Sequence, residues 1–196
     1  MGTVVELHDQ VNCLSTMIEN SSLLDTALKI IENIGGTQFW IAGDTICKTV
    51  WNSQLRNPSD HCIGNVGIVY HTPVVDDNQW LRLKEVEDIL KYKCNQNKIH
   101  IHVQNLARAD EDFQVEFHGK RHSFNSLNDG IKHYHAICEC VAVRRDSGKM
   151  RLIAPFGLDD LLNHTYRYNH MRTDRRAFEC KGIAFETQYP FLVRIG

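Results

Sequence analysis

Histidine and cysteine pairs are the first residues in this chain whose types and spacing could do chemistry. Its 196 residues include 11 histidines and 7 cysteines. Two His-x-His pairs, His100/His102 and His133/His135, and one Cys-x-Cys, Cys138/Cys140, set side chains two residues apart. On a strand such residues share a face, so His100 and His102 could reach one transition metal, with His71 as a further ligand. A closed zinc site needs four ligands at recognisable spacings, and scattered surface and core histidines are the simpler reading. Carboxylates stand at Asp44, which follows Gly43, and at the adjacent pair Asp76-Asp77. Capping and solvated loop charge are the commoner roles for such aspartates and are expected here. The same default of capping or structural hydrogen bonding applies to Asp159-Asp160, with a part in shaping a pocket as the rival. Cys47 stands near Asp44 and Lys48 at a helix start, where a thiol can ionise more easily if exposed. No histidine can be placed beside it from the sequence, so a structural cysteine is expected. A serine-hydrolase elbow, a Walker loop and a dinucleotide fingerprint are absent.

The elements that must position these residues follow from periodicity. Thr3–Asn20 carries Leu7, Val11, Leu14 and Ile18 at helical spacing, and Ser21-Ser22 begins a second helix that ends at Gly35-Gly36. Thr37–Ala42 reads as a strand, Gly43-Asp44 as a tight exit, and Thr45–Leu55 as a helix. Strand, glycine turn and helix is an arrangement in which backbone amides can meet phosphate, although a packing turn is the default. Ile63–His71 is a second strand, placed mid-sheet by the apolar runs before and after it. Helix Trp80–Tyr92 and strand Lys98–Gln104 come next, and Asn105–Gly119 is polar without clear periodicity. Ser123–His135 reads as a helix. Ala136–Arg145 and Met150–Pro155 form a hairpin around Asp146-Ser147-Gly148-Lys149. A short helix over Leu158–Asn163, a helix over Phe178–Glu186 and an extended segment from Pro190 to Ile195 complete the chain.

Composition excludes several classes. Hydrophobic residues make up 42% and charged residues 23%, with a net charge of -2, as in ordinary globular domains. The isoelectric point near 6.6 leaves no global basic footprint for nucleic acid. No apolar run approaches the ~18 residues that span a bilayer, and Met1–Gln10 lacks the apolar centre of a signal peptide. An odd number of cysteines without a Cys-x-x-Cys pair predicts reduced thiols and a cytoplasmic location. His164–Arg176 interleaves aromatic and basic residues in a way that suits phosphate contact and base stacking. The bland reading, a solvated basic loop, is preferred at this overall charge.

Ala154-Pro155-Phe156-Gly157-Leu158-Asp159-Asp160-Leu161-Leu162 resembles the signature of small bacterial nucleotidyltransferase-like proteins of the DNA polymerase β superfamily. Other stretches match in the same order. Trp40–Gly43 resembles that family's first strand and glycine turn, with Thr49–Asn52 on the following helix. Asn65–Tyr70 resembles its acidic strand, and Asn105–Arg108 its Asn-Gln-Ala-Arg segment. Ser126–Ile131 with Ala142–Arg144, and Tyr189–Val193, resemble its later blocks. The resemblance covers residues 23–196, leaving 1–22 as an N-terminal helical extension that packs on the core or dimerises. It implies an α/β (α+β) fold, a mixed sheet flanked by helices around a nucleotidyltransferase-like core. It also makes Gly43, Asp44, Lys48, Asn105, Arg108, Asp159 and Asp160 the candidates for nucleotide binding.

In that superfamily two carboxylates on one strand and a third on its neighbour hold divalent ions that neutralise the transferred phosphate. Here the matching positions are Asn65, Gly67 and His102. Glycine offers no ligand, asparagine one neutral oxygen, and histidine suits softer metals. Thr72 and Cys47 stand where the resemblance implies a further aspartate and an arginine. The expectation is a nucleotidyltransferase-family protein without two-metal transfer and with no cofactor, acting as a nucleotide-binding module or as an RNA or protein partner. The alternative is an active enzyme that binds magnesium through relocated ligands, namely Asp44, Asp76, Asp77 or the histidines.

Overall fold

The computed structural model describes residues 4–55, 60–73, 76–109, 124–172 and 174–196. The Asn57-Pro58 loop, part of the loop before Asp76 and the polar stretch up to Gly119 fall wholly or partly outside these. Helices α1 (Val4–Glu19) and α2 (Ser22–Asn33) open the chain. Ser21 separates them, its hydroxyl accepting the Leu24 amide at the start of α2. Leu24, Ala27, Leu28 and Ile31 recur at i, i+3, i+4 and i+7, and all are buried. Leu14 and Ile18 of α1 are buried in the same core. The N-terminal helix therefore packs on the domain.

Strand β1 (Trp40–Ala42) leads through Gly43 into α3 (Asp44–Gln54). Then come β2 (Val66–Tyr70), α4 (Asp77–Gln96) and β3 (Ile101–Asn105), which runs into a 3-10 turn over Leu106–Arg108. Helix α5 spans only Leu127–Ile131. A second 3-10 turn, Ile137–Glu139, precedes the hairpin β4 (Ala142–Asp146) and β5 (Lys149–Ile153). Its turn residues Ser147 and Gly148 have φ 50 and 74, as the short hairpin loop requires. Helix α6 (Asp159–Leu162), strand β6 (Thr165–Arg167), helix α7 (Arg175–Gln188) and strand β7 (Val193–Ile195) finish the fold.

The five-stranded sheet has the order β3-β2-β1-β4-β5, so β2 lies inside it as its neighbours imply. β2 and β3 are parallel, joined by the crossover helix α4, and the remaining pairs are antiparallel. The sheet is mixed and flanked by helices. One face carries Ile41, Val66, Ile68, Tyr70 and Val143 into the main core with α1, α2, α3 and α4. The other carries Ala42, Val69 and Ala142 into a smaller cluster with Leu106 and Ile131.

Several elements differ from their sequence expectation. Thr37 and Gln38 form a turn rather than strand, and α4 extends beyond the expected Trp80–Tyr92 at both ends. Its early start has a cause: Asp76 accepts the Gln79 amide at 2.8 Å, and the cap stands upstream of the apolar stripe. The helix expected over Ser123–His135 begins only after Ser126, which caps Asp129, and is over by Ile131. Ala136–Glu139 curls into a 3-10 turn because the buried Glu139 carboxylate reaches back to the Ala136 amide. Strand β6, inside the expected basic loop, pairs in parallel with β7. Among the described residues no helix is long and apolar enough to cross a membrane.

Candidate functional site

The parallel register of β2 and β3 brings three sequence-predicted positions onto one face. Gly67 pairs with His102, and Asn65 immediately precedes β2, two residues before Gly67. Antiparallel pairing of Trp40 with Val69 and Ile41 with Ile68 continues to place Ala42 beside Gly67, and the glycine turn beside the start of β2. Gly43 has φ 75, a conformation that only glycine adopts without strain, and it starts α3 with no side-chain cap. A Cβ on it would lie 3.0 Å from the Tyr134 ring, so Tyr134 roofs the turn.

At the strand itself there is little room. The Gly67 amide donates to the Thr45 hydroxyl at 2.9 Å, and a Cβ on Gly67 would sit 3.2 Å from the Ala42 carbonyl oxygen. Asn65 and His102 are exposed. The donor set is thus a neutral amide, no side chain and an imidazole, which does not fit a magnesium ion that needs charged oxygens.

The relocated ligands are scattered. Asp44 is not the cap of α3 but its first residue, and it pairs with Lys48 one turn on at 3.4 Å. Asp76 is occupied as the cap of α4, and Asp77 is exposed in that helix's first turn. The His71 ring lies 2.7 Å from the Phe124 carbonyl oxygen, while His100 is exposed at the start of β3. His133 contacts the Asp129 carbonyl at 2.7 Å, and His135 faces Arg172 at 3.5 Å. Among the described residues no three His, Cys, Asp or Glu side chains converge as metal ligands do.

Other candidates are engaged with the fold. The Asn105 amide group accepts from the Thr72 and Ala107 amides and donates to the Thr72 carbonyl, fastening the exits of β2 and β3 together. Arg108 lies 4.4 Å above the Trp80 ring, with Lys84 at 4.5 Å from the same ring. Asp160 takes two hydrogen bonds from Arg167, at 2.9 and 3.1 Å, and Asp159 accepts one from Gln10 of α1 at 2.7 Å. Trp51 donates to the Leu161 carbonyl, and Tyr189 donates to Asn52 at 3.0 Å. The matching stretches around Trp51, Leu161 and Tyr189 therefore meet in the core and hold α3, α6 and the C-terminal segment together.

Two buried carboxylates, Glu139 and Glu87, escaped sequence reading. Glu139 is fully buried, and Lys181 of α7 pairs with it at 2.5 Å. Burial pulls the Lys181 pKa down, but the carboxylates of Glu139 and Asp44 overcome it and hold the ammonium above its ordinary value. Cys47 is buried with its thiol donating to the Cys138 carbonyl at 3.2 Å, and burial pushes its pKa up, as a structural cysteine requires. Glu87, beneath β2, accepts from the Tyr70 hydroxyl and pairs with Lys84 at 2.9 Å. Glu87 was findable: it lies four residues after Leu83 and three before Leu90, on the apolar face of α4.

A mixed sheet whose first strand turns through glycine into a helix, with paired positions on the next two strands, defines a nucleotidyltransferase-type domain. The family model described as nucleotidyltransferase matches residues 29–193, and the chain belongs to that family. A solved structure described as a CCA-adding enzyme head domain is similar in fold, with a TM-score of 0.67 and 20% identity over 94% of each chain. No curated protein matches the chain in sequence.

Proposed function

We propose that this nucleotidyltransferase-family chain has lost two-metal nucleotidyl transfer and works as a nucleotide-binding or macromolecular interaction module. The observation that carries the reading is the Gly67–His102 pair with Asn65 beside it. Those positions offer no carboxylate, and transfer chemistry relies on charge neutralisation at the phosphate. Against relocated ligands stand the Asp44–Lys48 pair and the capping role of Asp76, each of which already satisfies a carboxylate. Support for retained nucleotide binding comes from the glycine turn, where α3 begins without a side-chain cap on its first amides.

The test combines labelled-nucleotide transfer with thermal denaturation of the full chain. Neither Mg²⁺ nor Mn²⁺ is expected to support transfer, whereas a nucleoside triphosphate without metal is expected to raise the melting temperature. Metal-dependent transfer that disappears in Asn65→Ala would overturn the loss of chemistry. A melting temperature unmoved by any nucleotide would remove the nucleotide from the reading and leave the interaction module.

A further inference from the structure

The fold treats the two His-x-His pairs differently. His133 and His135 are engaged, the first with the Asp129 carbonyl at 2.7 Å and the second with Arg172 at 3.5 Å. His100 and His102 are both exposed, and among the described residues neither imidazole has a hydrogen bond, ion pair or ring contact. Spacing alone could not tell the pairs apart.

Backbone geometry puts the exposed pair on one face. Lys98, with φ 59, turns the chain out of α4, and the His100 carbonyl accepts the Val66 amide at 2.8 Å. The parallel ladder with β2 therefore begins at His100, one residue ahead of β3, and continues through the Gly67–His102 pair. In an extended chain, residues two apart point the same way with their Cα atoms about 6.6 Å apart. Two imidazoles at that spacing can converge on one ion, each nitrogen about 2 Å from it. β3 is the outermost strand of the sheet, and Gly67, in register with His102, has no side chain to cover that ring. His100 also borders a cleft with Tyr92 and Asn95 of α4. Lys91 lines the same cleft, 3.8 Å from Glu87 and 3.9 Å from Asp88, and these carboxylates draw its ammonium back towards α4.

We propose that His100 and His102 chelate a borderline divalent transition ion of the Ni²⁺, Cu²⁺ and Zn²⁺ class. The inference goes beyond nucleotide binding and does not depend on it. Imidazole nitrogen suits these ions, whereas magnesium takes oxygen. His102 acts on both counts: it denies magnesium a carboxylate and gives the softer ion a nitrogen. Two protein ligands leave the remaining coordination positions to water, so the ion is an exchangeable one, unlike the closed four-ligand sites that hold a fold together.

Calorimetric titration of NiCl₂ into the full chain at neutral pH tests the site. The exposed thiols Cys13, Cys62 and Cys180 are first capped with iodoacetamide, because thiolates also take such ions. The tightest step is expected to bind one ion per chain. His100→Ala and His102→Ala should each weaken it at least ~10-fold, since a lone imidazole loses the advantage of chelation. His100→Gln and His102→Gln, which keep a polar side chain of similar size, should lose it equally. The matched control His61→Ala/His170→Ala removes two exposed imidazoles from elsewhere and should bind as the parent does. A millimolar excess of Mg²⁺ should leave the ion in place. Absence of Ni²⁺ binding by the parent, parental affinity in any of the single variants, an equal loss in the control, or displacement by Mg²⁺ would overturn the proposal.

Discussion

Removing the Lys181 ammonium would leave the Glu139 carboxylate buried without its counter-charge. Lys181→Met is therefore expected to cost about 3–5 kcal/mol in urea denaturation. The pair also sets a pH dependence. Lys181 is held above its ordinary value of 10.5, so its contribution is complete below that pH and is lost as pH rises through the folded value. The variant should lose that alkaline dependence. At the strand, Gly67→Asp must push against the Ala42 carbonyl 3.2 Å from the new Cβ, which is expected to cost about 1 kcal/mol. Combined with Asn65→Asp and His102→Glu, it recreates three carboxylates on one face. The triple variant should gain a Mg²⁺-dependent rise in melting temperature that the parent lacks, and the absence of that rise would show that the paired positions do not form an ion site. These residue types were legible in the sequence because strand alternation alone puts Asn65 and Gly67 on one side. Glu139 was not legible, since a carboxylate between Cys138 and Cys140 declares its burial only when α7 delivers the lysine.

Caps and cross-element pairs decide where the elements begin and how they join. Asp76→Ala is expected to lower stability by about 1 kcal/mol, with Asp76→Asn close to the parent, because an amide oxygen can still accept from the Gln79 N–H. A metal ligand would respond differently, with both substitutions abolishing an ion-dependent shift. Asp25 on α2 hydrogen-bonds Lys29 and Arg145 of β4, and those contacts outweigh burial to hold its carboxyl below 3.8. Its contribution is present above that value and lost as pH falls through the folded one, so Asp25→Asn should remove part of the acid sensitivity of unfolding. The α2 stripe, the glycine turn and the Ser147-Gly148 hairpin were readable from the sequence, because periodicity and turn chemistry are local. The shortness of α5 and the pairing of β6 with β7 were not, since both depend on distant partners: Asn169 holds the segment after α5, and β7 arrives from the chain end.

At the scale of the molecule, the order of matched stretches was enough to specify a nucleotidyltransferase-type fold, while their roles were less visible. Asp159, Asp160 and Asn105, candidates for nucleotide contact, are engaged with Gln10, Arg167 and the Thr72 backbone. The N-terminal helix, outside the resemblance, is part of the main core. Leu14→Ala should cost about 2–5 kcal/mol by thermal or chemical denaturation.

The position of β1 in the sheet has a consequence for how the chain reaches this state. β1 is complete by Ala42, and its partner β2 follows by Tyr70, but its other partner β4 begins only at Ala142. A ribosome making the protein at ~5–20 residues per second has the apolar edge of β1 waiting for about 5–20 s before β4 emerges to cover it. Chains halted before the hairpin would keep that edge open, and they are the species expected to aggregate or to engage chaperones during synthesis.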